Sequence, residues 1–293
     1  MESLLDKSRR SRKSLEITTV LGCNVKCSYC PQDTLIEAAT SRSKKVLKFD
    51  KFKQYLDNVP SDVAIHWTGY SEPCLVRDLD QMISYCHDRG HSQLISTTLS
   101  GHNASIKFVT QFKYFTSFTL HLPDDQGRMR GLDVNREYLD ILKGAIPSLI
   151  DNNQNLDLLT FGSHFHPDIE DLISSLNIPS TVIIDRRLHA HSRTNLVDTT
   201  DLTSTPVKEE TKPKPSTSKA PWFCSYKRLN QPVLIPDGSL QLCCHDYRLS
   251  CKVGDLNESN YDSIIEHGKI KNEFLSGTLV PCVYCEYYVQ SEY

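Results

Sequence analysis

Between residues 15 and 185 the sequence alternates short apolar runs with amphipathic stretches, and this alternation constrains the fold more than any other feature. The spacing predicts strands at Glu16–Leu21, Val63–Thr68, Gln93–Thr98, Ser117–Leu122, Leu156–Phe161 and Thr181–Asp185. It predicts helices at Asp50–Asn58, Val76–Arg89, Ala104–Tyr114, Asn135–Leu142 and Pro167–Leu176, with Asp50 and Pro167 as starts and Gly90 as a stop. Repeated βα units make parallel strands covered by helices, so the class is α/β. Periodicity alone does not separate a barrel from a doubly wound sheet.

Composition narrows the rest. A chain of 293 residues suits one large domain and a smaller one. The formal net charge of −3 gives no support to a nucleic-acid surface. The basic cluster Lys7, Arg9, Arg10, Arg12 and Lys13 reads as a solvated extension over residues 1–14. No apolar stretch is long enough to span a membrane, and the N-terminus lacks the apolar core of a secretory signal. The expected compartment is therefore cytoplasmic, where thiols stay reduced. Eleven cysteines there read as metal ligands rather than disulfides, with at least one left for another role.

The expected organisation is a large domain over 15–191, a linker or loop over 192–221, and a compact cysteine-rich domain over 222–293. The linker carries Lys208-Glu209-Glu210-Thr211-Lys212-Pro213, which cannot bury enough surface to offset ordering entropy. Beyond it, Pro232–Pro236 and Leu240–Cys243 flank Asp237-Gly238, a strong hairpin signal, and Asn260–Phe274 reads as a helix.

Three cysteines dominate the chemistry: Cys23, Cys27 and Cys30, directly after the first predicted strand. Three thiolates can hold three corners of a cubane and leave the fourth iron open, as a site that reacts with a substrate requires. The spacing Cys-x3-Cys-x2-Cys, with Tyr29 before the last cysteine, resembles the cluster loop of radical S-adenosylmethionine (SAM) enzymes. Zinc is the alternative, but zinc sites usually show paired Cys-x2-Cys knuckles and four ligands.

The resemblance implies a partial (β/α)6 barrel. It implies a 4Fe–4S cluster whose open iron takes the SAM amino and carboxylate groups, and a 5′-deoxyadenosyl radical that removes a substrate hydrogen atom. Tyr29 then packs near the cluster or the SAM adenine, ordinary packing being the alternative. Gly69-Tyr70-Ser71-Glu72-Pro73, at the end of the second strand, resembles the family's Gly-Gly-Glu-Pro-type motif, which offers backbone carbonyls to the SAM ammonium. Tyr70-Ser71 departs from the small residues common there. Thr98 and Ser100, at the third strand end, are the candidates for the SAM ribose or carboxylate.

The C-terminal cysteines resemble an auxiliary-cluster domain. Cys224-x13-Gly238-x4-Cys243 is similar to the opening of SPASM and twitch domains, and Cys282-x2-Cys285 completes four thiolates. The count implies one auxiliary 4Fe–4S cluster, as in the twitch type; a zinc ribbon is the alternative. Cys244 and Cys251 lie outside the four, as replacement ligands, hydrogen-atom donors or inert packing residues. Cys74 and Cys86 read as inert. His121, Asp124, Asp125, His164, His166, Asp185, Arg186 and Arg187 fall at later strand ends, where barrel sites form.

The expected activity is oxidation or epimerisation of a polar metabolite, a sugar or aminocyclitol. A peptide-modifying maturase is the rival, weakened by the little room before residue 15 for a leader-binding domain. A non-catalytic zinc-binding protein is the alternative of another class. Expected partners are a small-molecule or peptide substrate and a one-electron donor such as flavodoxin or ferredoxin, without membrane or nucleic acid.

Overall fold

The computed structural model describes residues 13–101, 111–152, 155–186, 196, 222–224, 231–266, 279, 282–285 and 287–290. Residues 1–12, most of the linker, most of Ala104–Tyr114, the second half of Asn260–Phe274 and Arg187 lie outside these. No helix among the described residues is long and apolar enough to cross a membrane.

Strands β1 (Ser14–Ile17), β2 (Ala64–Trp67), β3 (Gln93–Thr97), β4 (Ser117–His121), β5 (Asn155–Thr160) and β6 (Ile183–Arg186) pair in parallel, each beside the next. This is the partial (β/α)6 barrel. Strand β7 (Trp222–Cys224) pairs antiparallel with a late strand, Tyr288–Gln290, in a sheet of their own. Strands β8 (Val233–Leu234), β9 (Ser239–Gln241) and β10 (Lys252–Asp255) form an antiparallel meander. It joins the barrel sheet because β8 pairs in parallel with β1, giving the order β10-β9-β8-β1-β2-β3-β4-β5-β6. The Asp237-Gly238 turn closes through the Gly238 N–H to the Ile235 carbonyl at 3.0 Å.

Helices α1 (Gln32–Ala38), α2 (Phe49–Leu56), α3 (Leu79–Asp88), α4 (Arg136–Asp151), α5 (Pro167–Ser175) and α6 (Tyr261–Glu266) complete the frame. Helix α1 was not foreseen. Helix α4 passes the expected end at Leu142 and carries Pro147, because Ala145, Ile146 and Leu149 bury their side chains in the core. Its start is capped by Asn135, whose side chain accepts from the Tyr138 N–H at 3.0 Å.

Side chains alternate across the sheet. Leu15, Ile17, Ile65, Trp67, Phe118 and Leu158 face the helices and form the core. Trp67 is fully buried against Phe52, ring centroids 5.3 Å apart, and its indole N–H donates to Gln93 at 2.9 Å. Truncating so large a core side chain costs about 3–5 kcal/mol. The opposite face carries the in-register positions Glu16 and His66 on β1 and β2, and Ser96, Thr119 and Asp157 on β3 to β5. The barrel interior is therefore rich in polar groups, with Leu94 and Ile183 as apolar positions in the same two rows, and His66 Nε2 lies 3.0 Å from Ser96 Oγ.

Candidate functional site

Cys23, Cys27 and Cys30 are half-buried on the loop that leaves the C-terminal end of β1. Two supports hold that loop. On one side, the Leu21 N–H donates to the Lys45 carbonyl and the Leu47 N–H to the Thr19 carbonyl, both at 2.8 Å. On the other, the segment after β4 runs alongside as a strap. The Ser28 N–H donates to the Arg128 carbonyl at 2.9 Å, and the Gly131 N–H to the Val25 carbonyl at 2.8 Å. The strap is itself fixed by Asp124, whose Oδ1 accepts from the N–H groups of Gln126 and Arg128, each at 3.0 Å. Between the first two cysteines Lys26 sits at φ +51°, a left-handed conformation that disfavours residues with a β-carbon. Gly131 is required where it is, because a β-carbon would overlap the Asn24 carbonyl.

Burial pushes the Cys23 thiol up to about 11; a hydrogen bond from the Val25 N–H opposes the rise, and the nearby Glu72 charge adds to it. Burial likewise pushes Cys27 well up, and the charges of Cys30 and Cys23 act in the same direction. The three sulfurs are thus near enough to feel one another. Three such thiols, each releasing a proton on metallation, fit a cubane. Among the described residues, no group of three or more His, Cys, Asp or Glu is arranged to hold a single metal ion.

Gly69–Pro73 leaves β2 beside this loop. Gly69 has φ +66°, and a β-carbon there would overlap the Thr18 hydroxyl, which accepts from the Tyr70 N–H at 3.0 Å. Ser71 Oγ is buried with no hydrogen-bond partner among the described residues, an orphaned polar atom inside the expected SAM motif. Glu72 turns inward instead. Its Oε1 accepts from the Cys74 N–H at 3.0 Å and from the Thr97 hydroxyl; its Oε2 accepts from the Thr98 N–H at 2.7 Å and the Thr98 hydroxyl at 2.8 Å. Burial raises the Glu72 carboxyl above its ordinary range despite these donors. The carboxylate ties the β2 end to the β3 end. Thr98 Oγ1 lies 2.8 Å from Ser100 Oγ, so the expected ribose contacts already belong to this network.

Tyr29 is buried between His121, whose Nε2 lies 3.2 Å from its hydroxyl, and Phe161, ring centroids 4.8 Å away. Val25 and Met129 complete this apolar wall, against which Cys23 and Cys27 pack. Cys30 faces a different set. The Tyr247 hydroxyl lies 3.0 Å from its sulfur, and Gln32 Nε2 donates to that sulfur at 3.4 Å and to the Tyr70 carbonyl at 2.7 Å. Tyr70 and Tyr247 meet edge to face at 5.2 Å, and the Tyr70 hydroxyl donates to the Cys243 carbonyl at 2.7 Å. Sequence reasoning missed Gln32 and Tyr247. Gln32 stood next to Cys30-Pro31, a local signal; Tyr247, 217 residues from Cys30, had none.

Cys224, Cys243, Cys282 and Cys285 pack around Leu242, Cys251 and Leu279. Burial pushes Cys282 up, and the charges of Cys285, Cys224 and Cys251 add to it, so Cys251 lies among the four expected ligands. Cys244 instead packs with Leu21, Leu35, Tyr70 and Tyr247. Cys74 and Cys86 are fully buried in the main core. Of the strand-end polar residues, His166 caps α5 by accepting from the Asp168 N–H at 3.3 Å, and Arg186 donates to Glu170 at 3.0 Å. Asp124 serves the strap.

Parallel barrel, thiol loop after β1, Gly-x-x-Glu-Pro turn after β2 and cysteine-rich meander together have the fold of radical SAM enzymes with a SPASM or twitch-type C-terminal segment. Solved structures agree. BtrN in complex with AdoMet and 2-DOIA matches with a TM-score of 0.56 at 14% identity, over 100% of this chain and 98% of that chain. Native anSMEcpe with bound AdoMet and Cp18Cys peptide matches with a TM-score of 0.52 at 13% identity, over 94% of this chain and 86% of that chain. At these identities the likeness establishes the fold. No protein-family model and no curated protein matches the chain.

Proposed function

We propose that this chain is a radical SAM oxidoreductase or epimerase that takes a hydrogen atom from a polar metabolite of the sugar or aminocyclitol kind. The observation that carries the proposal is the loop of three half-buried thiols at the end of β1, with the Gly69–Pro73 turn against it. In this reading Cys23, Cys27 and Cys30 hold a 4Fe–4S cluster with SAM on its open iron. When bound, the pair would supply one chemistry: one-electron cleavage of the SAM sulfonium to a radical able to abstract hydrogen. The Gly69–Ser71 turn receives the SAM ammonium, with Ser71 Oγ as a buried acceptor. Tyr29, Thr98 and Ser100 line the SAM rim. Cys224, Cys243, Cys282 and Cys285 hold the auxiliary cluster.

Two observations favour a metabolite. The barrel interior is lined by Glu16, His66, Ser96, Thr119 and Asp157, which suits a hydroxylated or aminated ring. The fold is also that of BtrN in complex with AdoMet and 2-DOIA. The likeness to anSMEcpe with bound AdoMet and Cp18Cys peptide supports peptide modification as the second reading. The proposed setting is the cytoplasm, with flavodoxin or ferredoxin as electron donor.

The test is anaerobic reconstitution, reduction and incubation with SAM and a panel of sugars, aminocyclitols and peptides. Expected is 5′-deoxyadenosine with turnover of a sugar or aminocyclitol. Turnover of peptides alone moves the chain to the second reading. Zinc without iron in the purified protein sinks both. In the epimerase form Cys244 or Cys251 would return the hydrogen atom and be left as a thiyl radical, which the one-electron donor and a proton restore to the thiol; its alanine variant then still makes 5′-deoxyadenosine but no inverted product.

A further inference from the structure

We infer that Tyr247 is a positioning residue for the first cysteine loop, setting the redox potential of the cluster held by Cys30 through a hydrogen bond to its sulfur. The inference rests on the reading that Cys23, Cys27 and Cys30 hold a cluster. The Tyr247 hydroxyl lies 3.0 Å from Cys30 Sγ. Once the sulfur binds iron it has no proton to give, so the phenol is the donor. A hydrogen bond to a cluster sulfur favours the reduced, more negative state, and such bonds are among the terms that set cluster potentials. Gln32 gives the same sulfur a second, longer donor at 3.4 Å.

What distinguishes Tyr247 is its origin. It stands in the meander that also carries Cys243, whereas Cys30 belongs to the loop after β1. Tyr247 is almost fully buried, and its ring is held edge to face by Tyr70 at 5.2 Å. The Tyr70 hydroxyl is fixed on the Cys243 carbonyl at 2.7 Å. One aromatic pair thus touches both cysteine sets. The donor to Cys30 keeps its place only while the C-terminal segment is docked, so docking of that segment raises the potential of the first cluster. A one-electron donor can then reduce that cluster more readily in the assembled protein than in one whose C-terminal segment has come away.

The test is a redox titration of reconstituted full-length protein, following the electron paramagnetic resonance signal that SAM perturbs. Tyr247→Phe keeps the ring and removes the donor. Expected is a midpoint lowered by about 59 mV, a tenfold change in a one-electron equilibrium, with iron content unchanged. Tyr70→Phe, which frees the Cys243 carbonyl without removing the donor, should shift the midpoint less than Tyr247→Phe does. An unmoved midpoint in Tyr247→Phe overturns the proposal. Loss of the first cluster's iron in that variant overturns it too, since Tyr247 would then be a support of the fold alone. If the unaltered protein binds no iron at Cys23, Cys27 and Cys30, the cluster reading itself fails, an outcome separable from both.

Discussion

Replacing Glu72 with glutamine tests whether this carboxylate locks two strand ends rather than contacting a ligand. Each carboxylate oxygen accepts one backbone N–H and one threonine hydroxyl. Glutamine keeps the shape but turns one oxygen into a donor. The hydroxyl facing that NH2 can rotate and accept; the backbone N–H facing it cannot. One buried N–H, of Cys74 or Thr98, is therefore left unsatisfied, at a cost of about 1–3 kcal/mol. Losing charge assistance adds to that and relief of the buried charge subtracts, leaving about 2 kcal/mol. For a domain of this size the melting temperature should fall by about 4–8 °C. Calorimetry of the metal-free protein, with Thr97→Val and the double variant, checks both the size and the partner. A coupling energy above about 0.5 kcal/mol is expected for groups in one network. Unchanged stability in Glu72→Gln, or additive losses in the double variant, would refute the argument.

Gly131→Ala should push the Asn24 carbonyl away and distort the first cysteine loop, halving iron on reconstitution while the C-terminal cysteines still load; full iron content counts against the strap. Cys282→Ala should lower iron from about eight per chain to about four, with the SAM-sensitive signal kept. His91 supplies a pH test. Burial lowers its imidazole below the ordinary range and outweighs the opposing hydrogen bond between Nδ1 and the Val63 carbonyl at 2.9 Å, so the folded protein favours the neutral ring. Its contribution is present above about pH 6.5, where the unfolded imidazole titrates, and is lost as pH falls from there through the folded value. Urea midpoints at pH 7 and pH 5 should therefore differ more in the unaltered protein than in His91→Gln.

The parallel strands were legible because they are short apolar runs separated by amphipathic stretches, their barrel arrangement came only from the resemblance carried by the cysteine loop, and the β8–β9 hairpin was legible because Asp237-Gly238 marks a local turn. What escaped is non-local or overridden by packing. The β7 pairing with Tyr288–Gln290 leaves no local pattern. Helix α1 follows Pro31 with only seven residues, too short for a periodic signal. The helix expected to end at Leu142 runs on through Pro147, because the buried side chains around that proline carry α4 onward. At the site, the cysteine spacing and the Gly-x-x-Glu-Pro turn were visible. The inward turn of Glu72 was not, because it depends on donors from a strand 25 residues away.

The parallel pairing of β8 with β1 has a consequence for how the protein is made. Strand β1 and its cysteine loop leave the ribosome well before their neighbour β8, which begins at Val233. At about 5–20 residues per second, some 10–40 s pass before β8 exists. Throughout that interval β1 presents an unpaired edge, the kind of strand that recruits other chains. Tyr247, the donor to Cys30, follows later still. The Cys30 thiol is therefore made 217 residues ahead of the Tyr247 ring that covers it, and until that ring arrives its loop stays open to water.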